Sequence, residues 1–113
     1  MEEKSIFEMI LNREIESEII YEDKEIFAIN DINPVAPVHV LVIPKKKIRT
    51  MNDVSKDDAM LIGRMVLTAQ KLAKSLNIHE SGYRLLWNTN KDAMQTIFHI
   101  HLHLIGGTQL KAI

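Results

Sequence analysis

The chain has 113 residues, of which 46% are hydrophobic and 26% charged, and its formal net charge is −1. That balance predicts one globular domain over residues 1–113 and excludes a protein built mainly to hold a nucleic-acid backbone. There is no cysteine, which excludes disulfides, thiolate metal sites and a cysteine nucleophile, and fits a reducing, cytoplasmic setting.

The start, Met1-Glu2-Glu3-Lys4, is acidic and does not read as a secretory signal, and no apolar run approaches membrane-spanning length. Ser5 and Glu8 have capping-box spacing and open a short helix carrying Ile6, Phe7, Ile10 and Leu11. Ile19-Ile20-Tyr21-Glu22 and Glu25-Ile26-Phe27-Ala28-Ile29-Asn30 predict two strands joined at Asp23-Lys24. Asn33-Pro34 and Ala36-Pro37 punctuate a turn. Val38-His39-Val40-Leu41-Val42-Ile43, stopped by Pro44, is almost wholly apolar, as expected of a central strand buried on both faces. Lys45-Lys46-Lys47 then reads as an exposed loop.

The one long helix is expected from Ser55 to about Leu76, with Ser55 as N-cap and Asp57 and Asp58 in the first turn. Leu61, Met65, Ala69, Leu72 and Leu76 form its apolar stripe, Ile62, Val66 and Ala73 widen it, and Met60 and Leu67 carry it further round. So wide a face suits burial against a second subunit or a helix lodged deep in its own domain. His79 falls in a loop, and Tyr83-Arg84-Leu85-Leu86-Trp87-Asn88 predicts a fourth strand whose Trp87 is packing. A polar connection from Asn88 to Thr96 follows, long enough to line a site. These elements predict an α+β fold with a mainly antiparallel sheet.

The most informative run is the last, Phe98-His99-Ile100-His101-Leu102-His103-Leu104-Ile105, where apolar and imidazole side chains alternate. Period two predicts a fifth strand with His99, His101 and His103 on one face and Ile100, Leu102 and Leu104 in a core. Imidazole titrates near neutrality, so one residue type can serve as nucleophile, base or acid. Three such residues, joined by His39 from an adjacent strand, suit two chemistries. The first is an open zinc site of three imidazoles and water. It is awkward here, because the first and last of the three start about 13–14 Å apart along a straight strand. The second is phosphoryl transfer, with one neutral imidazole attacking phosphorus and a protonated one serving the leaving group. That pairing predicts a bell-shaped pH profile around neutrality, and Thr96 places a hydroxyl at the right end of the strand.

The run His99-Ile100-His101-Leu102-His103-Leu104-Ile105 resembles the signature of the histidine triad (HIT) nucleotide-binding proteins. The following Gly106-Gly107 is similar to the Hint branch, the purine nucleoside phosphoramidases. Ser5-Ile6-Phe7, Ile20-Tyr21-Glu22-Asp23, Asn30-Asp31-Ile32-Asn33-Pro34, Ala36-Pro37-Val38-His39, Leu41-Val42-Ile43-Pro44-Lys45-Lys46 and Gly82-Tyr83-Arg84 resemble that branch too, so the likeness runs nearly the full length.

The resemblance implies a five-stranded HIT-like domain with two helices, and a homodimer whose sheets join across the interface. It implies binding of a purine nucleoside monophosphate and hydrolysis of the P–N bond of its phosphoramidates. No metal and no cofactor is implied. By position, His101 is the nucleophile that becomes nucleotidylated, His103 contacts the phosphate and leaving group, and His99 and His39 complete the imidazole network. Asn88, Gln95 and Thr96 resemble the phosphate-binding residues, Asp31 the acid that holds the ribose, and Ile6, Phe7, Ile10, Ile29 and Ile32 the walls around the base. Two other readings stand beside this one: dinucleoside polyphosphate hydrolysis or nucleotidyl transfer, and a non-catalytic nucleotide-binding regulatory dimer. One departure bears on the phosphate loop, where Ala93-Met94 stands in place of a Gly-Gly pair.

Overall fold

Strand β3 (Val38–Pro44) lies in the middle of a five-stranded sheet, and its alternating side chains divide the molecule into two layers. The computed structural model describes residues 3–113, so the Met1-Glu2 part of the acidic start lies outside the described residues. The remaining strands are β1 (Ile19–Glu22), β2 (Ile26–Asn30), β4 (Tyr83–Leu86) and β5 (Leu102–Gly106). They are ordered β1-β2-β3-β5-β4, and every neighbouring pair is antiparallel. With helices α1 (Ile6–Leu11) and α2 (Ala59–Ser75), this is the expected α+β architecture.

One face of the sheet presents Ala28, Val40, Val42, Leu102 and Leu104 to Leu61, Met65, Ala69 and Leu72 of α2. The other presents Phe27, Ile29, Leu41 and Ile43 to Phe7 and Ile10 of α1. Both sides of β3 are thus buried, as its unbroken apolar run predicts. A six-residue helix is too short to persist alone in water. Helix α1 is held by the burial of Phe7 and Ile10, about 2–3 kcal/mol each, and by its capping box. There the Glu8 amide donates to Ser5 Oγ at 3.1 Å, and the Ser5 amide to Glu8 Oε1 at 2.9 Å.

Three boundaries differ from the sequence expectation by two residues or more. Helix α2 starts at Ala59, because Lys56–Asp58 form a 3-10 turn closed by Asp58 Oδ2, which accepts from the Ser55 amide and hydroxyl. Strand β4 ends at Leu86, two residues early, where its pairing with β5 stops. Strand β5 begins only at Leu102, so His99 and His101 precede it. Continuing the β3–β5 register beyond Val42↔Leu102 would set Ile100 opposite Pro44, which has no amide hydrogen for the ladder. The chain stays docked all the same: the Ile100 amide donates to the Ile48 carbonyl, and the Ile100 side chain enters the α2 core.

Helix α2 is not lodged deep. Met60 and Leu67 stand 70% and 61% exposed on the far side from the sheet. The lysine run is tethered: Lys45 binds Glu22, Lys46 binds Asp58, and Lys47 donates to the Glu3 carbonyl. Among the described residues, no helix is long and apolar enough to cross a membrane.

Candidate active site

Antiparallel pairing of β3 with β5 brings His39 and His103 onto one face, and the irregular segment ahead of β5 adds His99 and His101. The rings of His101 and His103 lie 5.0 Å apart centre to centre, and those of His39 and His103 5.2 Å. Phe7 closes the other side, edge-on to His99 at 5.5 Å and to His101 at 5.1 Å.

Hydrogen bonds assign the ring protons one by one. The Val35 amide donates to His39 Nδ1 at 3.2 Å, so a neutral His39 carries its hydrogen on Nε2 and gives it to His103 Nδ1 at 2.9 Å. His103 therefore holds its own hydrogen on Nε2. The Asn88 carboxamide nitrogen lies 3.4 Å from that nitrogen. His101 Nδ1 donates to the His99 carbonyl at 2.8 Å, which leaves Nε2 of His101 with a bare lone pair. His99 is fully buried: its Nε2 donates to the Pro44 carbonyl at 2.7 Å, and its Nδ1 accepts from the Ser5 hydroxyl at 2.7 Å.

Burial favours the uncharged ring, and it lowers the pKa of His39, His99, His101 and His103 below the ordinary histidine value. His103 is pulled furthest, to about 4, because the His101 and His39 rings beside it also oppose a charge. Asp31 works against burial on His39, His101 and His103. Its Oδ2 stands 3.4 Å from His39 Nε2, while Oδ1 accepts from the Asn33 amide at 2.8 Å.

Asp31, His39 and His103 place one donor atom each within 4.8 Å of one another, the spacing of a cation site. The proton assignment argues against a metal there. A cation on His39 Nε2 would displace the only ring hydrogen while the Val35 amide still points at Nδ1, so the ring would have to bind as an anion.

These groups open into a cleft of about 500 Å³. It is lined by His39, His101, His103, Asn88, Gln95, Thr96 and Asp31, and by Ile6, Phe7, Ile10, Ile29 and Ile32. Every candidate residue from the sequence reaches this cleft except His99, which sits behind it. Gln95 touches it, but its polar atoms are engaged within the protein. Oε1 accepts from the Asn90 amide, and Nε2 donates to the carbonyls of Arg49 and Ile97. Met94 holds a left-handed backbone (φ 62°, ψ 33°) that favours glycine, is 75% exposed at the cleft rim, and donates its amide to Lys91.

The sequence reading missed the Val35 amide, the Pro44 carbonyl and the Ser5 hydroxyl as partners of the histidines. It also missed Ile15, Glu16, Ser17, Val35 and Leu41 as cleft lining. The proline pair around Val35 gave a signal for a fixed turn. Nothing local linked Ser5 to a residue 94 positions away.

The fold and the imidazole cluster define a nucleotide-site hydrolase of the histidine-triad kind. The family model "HIT domain" matches residues 12–110, and the chain belongs to this family. It is 47% identical to the purine nucleoside phosphoramidase of Escherichia coli K12 over 110 residues, covering 97% of this chain and 92% of that one. Among solved structures, it resembles a HIT family hydrolase from Legionella pneumophila with a TM-score of 0.93 and 45% identity, covering 96% of each chain. A histidine triad protein from Clostridium difficile has a TM-score of 0.93 at 35% identity, covering 100% of this chain and 99% of that one.

Proposed function

We propose that this protein hydrolyses the P–N bond of purine nucleoside 5′-phosphoramidates, adducts of AMP with an amine, through a nucleotidyl intermediate on His101. The observation that carries this reading is the bare Nε2 of His101, whose other nitrogen is committed to the His99 carbonyl. Burial keeps that ring neutral, the form that can attack. His101 Nε2 forms a bond to phosphorus as the P–N bond breaks, and the departing amine takes its proton from solvent water. Water then attacks phosphorus and gives up a proton to solvent as the bond to Nε2 breaks, which restores the lone pair and releases the nucleotide. The His103 Nε2–H and the Thr96 hydroxyl serve the nonbridging oxygens, where negative charge concentrates. Asp31 takes the ribose hydroxyls, and Ile6, Phe7, Ile10, Ile29 and Ile32 enclose the base. The 47% identity to a purine nucleoside phosphoramidase supports the same assignment.

The reading includes a homodimer in the cytoplasm. The exposed Met60 and Leu67 of α2 support an apolar contact with a second copy.

The test is release of amine from adenosine 5′-phosphoramidate by the wild type and by His101→Ala, each with and without chelator. The expected result is chelator-insensitive turnover in the wild type and at least about a thousandfold loss in the variant. AMP binding without turnover would instead identify a nucleotide-binding regulatory module. Faster cleavage of a dinucleoside polyphosphate would move the substrate class within the family.

A further inference from the structure

Ser5 is the N-cap of α1, yet its hydroxyl does more than cap. The Glu8 amide donates to Ser5 Oγ at 3.1 Å, so the oxygen is already an acceptor, and its own hydrogen is free to point elsewhere. It lies 2.7 Å from Nδ1 of the fully buried His99. That ring's other nitrogen faces the Pro44 carbonyl at 2.7 Å and must carry the ring hydrogen, so Nδ1 needs a donor. Among the described residues, Ser5 is the partner that Nδ1 has.

The consequence runs on to the nucleophile. With its ring pinned at both nitrogens, His99 cannot rotate, and its backbone carbonyl is held where it accepts from His101 Nδ1 at 2.8 Å. We propose that Ser5 is a positioning residue of the reaction: its hydroxyl fixes the tautomer and orientation of His99, and through the His99 carbonyl it aims Nε2 of His101 at phosphorus. This inference rests on the proposed phosphoramidate hydrolysis. It also gives α1 two tasks, since the same helix supplies Phe7 and Ile10 to the wall of the cleft. The charged groups around His99 are Glu8 and Lys47, the titratable His101 ring lies beside it, and the Phe7 ring seals one edge.

Capping and proton donation can be separated by substitution. Glycine caps nearly as well as serine but has no hydroxyl, threonine keeps both functions, and aspartate caps well but can only accept. Turnover of adenosine 5′-phosphoramidate and thermal melting are measured for Ser5→Gly, Ser5→Thr and Ser5→Asp. The imidazole nitrogens of His99 are followed in long-range 1H–15N spectra. The expected results are a roughly ten- to hundredfold lower kcat for Ser5→Gly with KM little changed, and turnover restored by Ser5→Thr. In Ser5→Asp, which retains the cap, Nδ1 of His99 gains a proton that it lacks in the wild type.

The proposal is overturned if Ser5→Gly turns over within about twofold of the wild type, or if Ser5→Thr is as slow as Ser5→Gly. An unchanged His99 nitrogen signature in Ser5→Asp also overturns it. If the wild type releases no amine at all, the proposed function fails, and the nitrogen signature still decides whether Ser5 sets the tautomer of His99.

Discussion

His39 and His103 share one hydrogen, Nε2 to Nδ1 at 2.9 Å, and the Val35 amide behind His39 decides which ring owns it. The two residues thus titrate as a pair with a fixed direction: a proton added to either ring must break a contact that the fold has already made.

This gives acid sensitivity a sign. In the unfolded chain a histidine takes up its proton near pH 6.5, whereas burial holds all four clustered histidines below that value, His103 at about 4. Their contribution to stability is therefore complete above about pH 6.5 and is lost as the pH falls towards about 4. His103 alone accounts for up to about 3 kcal/mol of that loss. Thermal melts from about pH 8 down to pH 4 should show the decline, and His103→Asn should flatten part of it. Because His101 is also held neutral, the acid limb of kcat/KM should fall below pH 6.5 and not at neutrality.

Asp31 opposes burial at three of these rings. Asp31→Asn removes the carboxylate, so the acid limb should move to still lower pH. If Asp31 also holds the ribose, affinity for AMP should drop about tenfold or more, the scale of a lost hydrogen bond to a charged group. A pH series of kcat/KM and a calorimetric titration with AMP would check both. A limb that moved upward would contradict the electrostatic role.

Met94 sits in backbone geometry that costs a side-chain-bearing residue about 1 kcal/mol or more. Met94→Gly should therefore melt at the same temperature or a few degrees higher, although methionine-to-glycine changes usually destabilise. A melting temperature several degrees lower would show that the Met94 side chain is held by more than the loop.

Gln95 holds the 88–96 connection from within. Its three hydrogen bonds reach Asn90, Arg49 and Ile97, and the residue is buried. Gln95→Ala leaves these backbone groups unpaired and should cost about 2–4 kcal/mol in denaturant unfolding. Turnover should fall with it, because Thr96 is the next residue. A variant as stable as the wild type but inactive would instead point to direct substrate contact.

How much of this was legible beforehand follows from the range of each signal. The capping box at Ser5 and Glu8 and the two-sided burial of Val38–Pro44 are written in neighbouring residues and could be read directly. The alternation in the histidine run correctly sent Ile100, Leu102 and Leu104 to the core. It could not reveal that regular pairing stops at Leu102, because the cause is Pro44 on another strand. The cleft walls from α1 came only with the family resemblance, since periodicity alone makes Phe7 and Ile10 core residues. They are both: each is buried, and each lines the cleft. The partners of His39 and His99 stayed hidden because Val35 and Ser5 offer a backbone amide and a hydroxyl, groups that carry no positional signature.

A backbone oxygen can serve a neighbouring strand or a side chain, and the His99 carbonyl, lying ahead of β5, is at liberty to hold His101. In a regular strand carbonyls lie in the plane of the sheet and side chains stand out of it, so regularising residues 99–101 would turn this oxygen away from the His101 ring. The proposed nucleophile would then be left unaimed. Stabilising this protein by idealising its sheet and preserving its turnover are thus competing goals, and they compete over a single atom.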